Sequence, residues 1–557
     1  FIKTLLVGLK MNKIFRSGIP LREPKTVMKL NRLGAMFPTR MSFMRTLLRS
    51  LSQKQAIISR PIWEIDDTGF GHAVYTIKIS DQEYSLVAFT NDLDPSDRTD
   101  RVIATAWDSS YVLYDGVPDI TEINRLQKSV PRQEVGRFSA KELVLSRANK
   151  SLRLFAHVVE ALKNGKQPDT KMIKDIGYLM RTTAVYGNGK FGIADRKILM
   201  NRDILSGPFM AEMLTVWMIR GFTHDLVEHL GGSKLDKNIK TYLGVGNATG
   251  LGMAPFLVTH PELLSNWMMA RETGLARVRA IPSLSQRQQN QLLELADRVV
   301  NHLNDWEVSD QEYQLRISLL RTEWVEISKN LRSLMVKEKP INTLVNFSKK
   351  FSLDCQELVV AFVIEPFGDL VDGLTCCMDS DGSMPLNPIM DISELREFIQ
   401  KDWRWSLKFD FKSKKETAQF WYVSEEKLEP RLGLRYEEPG SELENPLDIA
   451  RQIEKLRLDL TEDFTNVAEF LRHFPEHRSV LRRVQVMASY PYSEIQDNMI
   501  SESCRPIDML RCKLSYFGAA KFDPKSDRWV RITLAQGAPL FDELDGRDDW
   551  WLPVFSS

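Results

Sequence analysis

One tract concentrates the side chains that could do chemistry: Arg181-Thr182-Thr183-Ala184-Val185-Tyr186-Gly187-Asn188-Gly189-Lys190-Phe191-Gly192, followed by Asp195 and Arg196. A lysine crowded by other cations, or partly desolvated, loses proton affinity and becomes a base or nucleophile. A phenol can donate a hydrogen bond to a developing oxyanion. Lys190, Tyr186 and Asp195 are therefore the candidate catalytic groups, with Arg181 and Asn188 as candidate ligand contacts. The three glycines predict a loop after an amphipathic helix, and polar loops on a rigid scaffold are where binding sites tend to form. The plain alternative is a solvated Gly/Asn turn between two helices. Tyr186 and Lys190 also fit Y-x-x-x-K, but that pairing needs a helix, which Gly187 and Gly189 oppose.

A second tract, Gly244-Val245-Gly246-Asn247-Ala248-Thr249-Gly250-Leu251-Gly252-Met253-Ala254-Pro255, places four glycines in nine residues. Glycines this dense predict a constrained turn. Lys240 to Leu243 reads as a short extended lead-in and Pro261 to Ala280 as a helix, so the turn would offer backbone N–H groups to an anion. Gly246, Asn247, Thr249, Gly250 and Gly252 are the candidate ligand contacts here. The dinucleotide fingerprint needs glycine where Thr249 stands, and a P-loop needs Lys-Ser/Thr after its last glycine, where Met253 and Ala254 stand. The G-x-x-x-G-x-G spacing of short-chain dehydrogenases is present, but Pro255 and Pro261 interrupt the helix it must feed. A tight structural turn is the competing reading.

Metal and thiol chemistry find weaker footing. His473-Phe474-Pro475-Glu476-His477 spells H-x-x-E-H, a zinc motif in which two histidines one helical turn apart hold the metal. Pro475 would break that helix, so the spacing predicts one helix ending near His473, another starting at Pro475, and no metal. His224 and His229 diverge by about 140° on a helix. Met378 to Gly382 has its glycine too early for a calcium loop. Glu365 with Asp369, and Arg505 beside Cys504, read as a solvated helix end and a structural thiol. No cofactor is specified by any of these patterns.

The elements that must position these groups follow from periodicity. Residues 61 to 115 hold short aromatic and β-branched runs at Ile62–Ile65, His72–Ile79, Tyr84–Phe89 and Tyr111–Tyr114, predicting an antiparallel sheet. Period 3.6 then predicts helices over Glu142–Lys163, Thr170–Thr183, a tract capped by Ser206 with Pro208 in its first turn, and residues 261–280, 285–305 and 309–337. Alternation from Trp403 to Phe411 predicts a strand, with others at Phe420–Val423, Cys512–Phe517 and Trp529–Leu534. Helices are expected over Leu447–Leu458 and about 463–488. The division expected is a basic segment 1–55, a small antiparallel β region 56–135, a helical domain 136–345 holding both glycine tracts, and a mixed α/β region 346–557. The class is α+β, predominantly helical.

At 557 residues and 43% hydrophobic content the chain can bury a large core. Its 75 Lys/Arg against 74 Asp/Glu give no bulk polarity toward nucleic acid. The balance is uneven: residues 1–55 carry twelve Lys/Arg and only Glu23 on the acidic side, leaving the rest of the chain net acidic. Such a head reads as a targeting peptide, as an arm for acidic surfaces, or as an arm wrapped on its own acidic body. Met11, Met28 and Met41 are alternative starts. No run of 18 apolar residues occurs, and five cysteines without CxxC spacing suggest reduced thiols in a cytoplasmic setting. The expected function is a soluble enzyme acting on a small anionic metabolite, as a homo-oligomer, with the two glycine tracts as walls of one site. The alternative is a non-catalytic, self-assembling protein that uses its basic segment.

Overall fold

The computed structural model describes residues 19–94, 107–130, 139–186, 199, 201–250, 260–378, 386–408, 419–424, 430–434, 444–446, 449–496, 505–519, 522–524 and 529–544. Its strands are β1 (Ile57–Ile65), β2 (Gly71–Ile79), β3 (Gln82–Thr90), β4 (Ser109–Asp115), β5 (Glu142–Lys150), β6 (Tyr178–Tyr186), β7 (Gly244–Gly250), β8 (Gln419–Ser424), β9 (Pro430–Leu434), β10 (Glu444–Pro446), β11 (Phe522–Pro524) and β12 (Trp529–Leu534). Nine of them form one sheet in the order β1-β2-β3-β4-β5-β6-β7-β12-β11, and β10-β8-β9 form a second. Every neighbouring pair in the large sheet is antiparallel except β6 and β7, which run parallel. The chain is α+β.

Period-2 alternation sorts the large sheet into two buried faces. Tyr75, Ile77, Leu86, Ala88, Tyr111 and Leu113 face the main core. Val74, Val87, Phe89 and Val112 face away and are covered by Ile123, Leu126 and Val130 of the short helix Ile120–Ser129. On the main face lies the helix Met210–Gly231, which packs against β3 through β7. Of its 22 residues 18 are buried, so it is a core element with apolar contact all round. Helices Pro261–Arg279 and Leu353–Ile364 extend this core. A separate small core joins Ile392–Asp402, Ile449–Asp459, Val467–His473 and Arg478–Ser489.

Several sequence expectations are corrected. The tract Glu142–Lys163, read as one helix, is β5 followed by the helix Leu154–Lys163. Its apolar run Leu143-Val144-Leu145 is the kind that periodicity alone cannot divide between helix and strand, and pairing with β4 decides it. The helix from Thr170 stops at Ile176, because Gly177 takes a left-handed φ of 73° and the chain turns into β6. The third helix starts at Met210, beyond Pro208. Trp403 begins a helical turn, Arg404–Leu407, and stacks on Trp405 at 6.0 Å; Phe409 and Phe411 lie outside the described residues. Cys512–Phe517 belongs to the helix Pro506–Phe517. Residues 136–345, expected to be helical, contribute three strands to the sheet.

The described part of the basic head, from residue 19 on, is built into the body. The helix Phe43–Gln53 is almost wholly buried. Arg22 reaches Glu272 and Glu357, Arg32 reaches Glu357, Arg40 reaches Asp372, and Arg45 pairs with Glu365.

Candidate functional site

Those of the predicted residues that the structure describes lie in the neighbouring strands β6 and β7. Arg181 lies within β6, buried, between Asn149 of β5 and Gly246 of β7. Tyr186 ends the same strand. Asn247, Thr249 and Gly250 are inside β7, opposite Ile532, Val530 and Trp529 of β12. The expected anion-binding turn is thus a strand, its backbone engaged in ladders with β6 and β12. Gly246 has a packing reason: a Cβ there would lie 2.2 Å from the Tyr178 ring. Since β6 and β7 are parallel, Tyr186 and Gly250 leave the sheet on the same side. Asn188, Lys190, Asp195 and Gly252 lie outside the described residues.

A cavity lies at the other end of β7, about 20 Å away by strand rise. It has a volume of about 390 Å³ and is walled by the helix Met210–Gly231, the short helix Lys237–Tyr242 and the segment that follows β12. That segment is fixed by its own bonds: Gly537 N–H donates to Thr241 O at 2.8 Å, Gln536 Nε2 to Tyr242 O at 2.7 Å, and Trp217 Nε1 to Pro539 O at 2.9 Å. Phe541 stands edge-on to Trp217, centroids 4.9 Å apart. It sits where a Cβ on Gly221 would come within 2.1 Å of its ring, so only glycine at that helix position admits it.

Arg220 is 2% exposed, and its guanidinium faces carbonyls alone: Nε donates to Leu243 O at 2.5 Å, Nη2 to Lys240 O at 3.0 Å, and Nη1 to Ala538 O and Pro539 O at 2.8 and 3.3 Å. Among the described residues no carboxylate hydrogen-bonds to it. Burial pushes it down to about 10, Glu543 opposing, which leaves it charged at neutral pH. Glu228 takes two lysines, Lys234 Nζ at 2.8 Å and Lys240 Nζ, and accepts the Leu235 N–H at 3.1 Å. Burial works against its charge, but these donors hold it below the usual carboxylate range. Lys237 pairs with Glu543 at 2.9 Å, and Asp225 with Arg60 at 2.8 Å and the Tyr75 hydroxyl at 2.5 Å.

His224 also lines this cavity, one turn along from Arg220, and is 4% exposed. Among the described residues neither of its ring nitrogens has a hydrogen-bond partner. Burial first, then Arg220 and Lys240, hold the imidazole well below the usual histidine range, so it is neutral.

None of the predicted site residues that the structure describes is among those lining this cavity. The sequence carried signals for it: a charged Arg220 inside an apolar helical run, and Lys234, Lys237 and Lys240 at three-residue spacing after Gly231-Gly232. His477 lies elsewhere, its Nε2 2.7 Å from Asp459 Oδ2, with Glu476 completing a group whose ligand atoms lie within 4.8 Å of one another. Lys455 approaches Glu476 at 3.6 Å. His473 turns back on its own helix, with Nδ1 3.2 Å from Glu469 O. No described helix is long and apolar enough to cross a membrane. Comparison with protein-family models, curated proteins and solved structures finds no match to this chain.

Proposed function

We propose that this chain is an enzyme acting on a small anionic metabolite, bound in the cavity between the helix Met210–Gly231 and the segment after β12. The observation that carries the reading is Arg220, a buried guanidinium whose donors meet carbonyl groups, so that among the described residues no carboxylate bonds to it and only the field of Glu543, itself paired with Lys237, opposes its burial. Uncompensated buried charge is costly, and an anion in the adjoining cavity offsets it. The residues name a ligand class without naming a reaction. A homo-oligomer and a cytoplasmic setting belong to the same reading; free, buried thiols at Cys355 and Cys512 suit a reducing compartment.

Self-assembly through the basic segment draws on less, because Arg22, Arg32, Arg40 and Arg45 are paired inside the chain. The location is tested by a thermal-shift screen of small anions, repeated with Lys240→Ala and Lys190→Ala. Loss of the ligand-induced shift in Lys240→Ala alone is expected. Loss in Lys190→Ala alone would move the site to the opposite end of β7, and a screen without a single stabilising anion would remove the reading.

A further inference from the structure

Resting on that reading, the charges around the cavity specify its ligand further. Two cations there are matched one to one: Lys237 by Glu543 and Arg60 by Asp225. Lys234 and Lys240 share Glu228, and the field of Glu543, already paired with Lys237, acts on Arg220. Asp542 lines the cavity 3.9 Å from Lys237, so the cations Arg60, Arg220, Lys234, Lys237 and Lys240 exceed the carboxylates Asp225, Glu228, Asp542 and Glu543 by one. Arg220 has one N–H left, on Nη2, too few for a planar carboxylate fork, so most direct contact falls to ammonium groups, which act as point charges.

His224 stands in this field with, among the described residues, no hydrogen-bond partner on either ring nitrogen and one side open to the cavity. A neutral imidazole carries one donor and one acceptor, and a buried pair left without partners is costly unless the occupant meets it. Its cationic neighbours are Arg220 on its own helix and Lys240 on the next; the carboxylates at the cavity are Asp225, Glu228, Asp542 and Glu543, and Tyr75 donates its hydroxyl to Asp225. Burial first and the neighbouring cations second disfavour a charged ring. A ligand with two negative charges would exceed the single surplus charge by one, and a proton on the ring, donated in a hydrogen bond to that ligand, would restore the balance.

We propose that the cavity binds a small dianion together with a proton, and that His224 is the group that takes the proton up. The sign follows from the field: the empty site disfavours imidazolium, the filled site favours it, so protons enter with the ligand and affinity falls as pH rises.

Sulfate is the probe, because it stays a dianion across the range in which histidine titrates, so any proton taken up belongs to the protein. Calorimetric titration of the full chain with sulfate at pH 6, in two buffers of different ionisation heat, is expected to show uptake approaching one proton per sulfate. Affinity should fall by up to about tenfold per pH unit above that. His224→Gln keeps a hydrogen-bonding side chain that does not titrate; it should still bind sulfate but with flat pH dependence and no uptake. His229→Gln, whose ring meets Asp66 O at the far end of the helix, should behave as the wild type. Sulfate binding by the wild type without proton uptake overturns the inference and leaves the anion site standing, as does equal uptake by His224→Gln. If sulfate, phosphate and dicarboxylates all fail to bind, the anion site falls with it. Should His224→Gln not fold, the histidine ring ¹⁵N spectrum of the wild type decides: one imidazole turning cationic on adding sulfate supports the inference, and none doing so overturns it.

Discussion

Arg22 Nη2 lies 2.6 Å from Glu272 Oε1, across 250 positions of sequence, and the same guanidinium gives Nη1 to Glu357 Oε1 at 2.7 Å. Both carboxylates are fully buried, and Arg271 Nη2 closes on Glu357 Oε2 at 2.7 Å. The described part of the basic head is thereby tied to the central helices. Its charge was legible in the sequence, whereas its destination was not, since no local pattern says which acids of the body it meets.

Removing Arg22 leaves Glu272 and Glu357 short of counter-charge where water cannot replace it. Arg22→Ala is expected to cost about 3–5 kcal/mol in chemical denaturation. Burial works against the Glu357 charge, but Arg22 and Arg271 prevail and hold it well below the usual carboxylate range. Its contribution is therefore complete above about pH 4.3, the unfolded value, and is lost as pH falls below that. Burial pushes Glu494 and Asp508 up, an effect of the opposite sign that both proteins share. The gap between wild type and variant should narrow on acidification from about pH 5 toward pH 3. A constant gap would mean that Arg22 acts by packing alone.

Gly221 tests the wall of the cavity. In mid-helix, Gly→Ala ordinarily stabilises by up to about 1 kcal/mol. Here the added Cβ would meet the Phe541 ring at 2.1 Å, so Phe541 has to leave its place against Trp217. Gly221→Ala is expected to lower the melting temperature, with altered tryptophan fluorescence, and Gly221→Ala combined with Phe541→Ala should recover the helix-propensity gain. Additive losses in the double variant would refute the contact.

The sequence revealed elements where one periodicity was uncontested. The hairpin-rich start of the sheet and the three helices 261–280, 285–305 and 309–337 lie where expected, at Pro261–Arg279, Gln286–Asp305 and Gln311–Met335. It misled where tertiary pairing overrides local pattern. β7 reads as a loop because glycines are poor strand formers, yet Gly244 and Gly246 admit Thr533 and Tyr178 from the neighbouring strands, contacts invisible in one dimension. The site was obscured for a related reason. Two glycine tracts drew attention to the exits of β6 and β7, while the cavity is assembled from a helix, the lysines after it and a segment some 300 positions later.

That last segment supplies the strongest test of how the cavity is held. Arg220 joins Lys240 and Leu243 on one side to Ala538 and Pro539 on the other, and a single fork spans all four carbonyls. Lysine keeps the charge but has one nitrogen, which cannot reach both sides, so Arg220→Lys is expected to lose about 3 kcal/mol. Methionine removes charge and donors together. Two effects then compete: relief of a buried cation without a bonded carboxylate, and the Leu243 and Ala538 carbonyl oxygens left without donors, since Pro539 O keeps Trp217 Nε1 and Lys240 O keeps the Leu243 N–H. At about 1–3 kcal/mol for each carbonyl left unsatisfied, the second wins. Arg220→Met should therefore be less stable than wild type, and limited proteolysis should cut first within residues 535–543 as that segment comes free of the helix. A stability increase in Arg220→Met, with the segment still protected, would show that the buried charge is the larger cost and that the carbonyls find other donors.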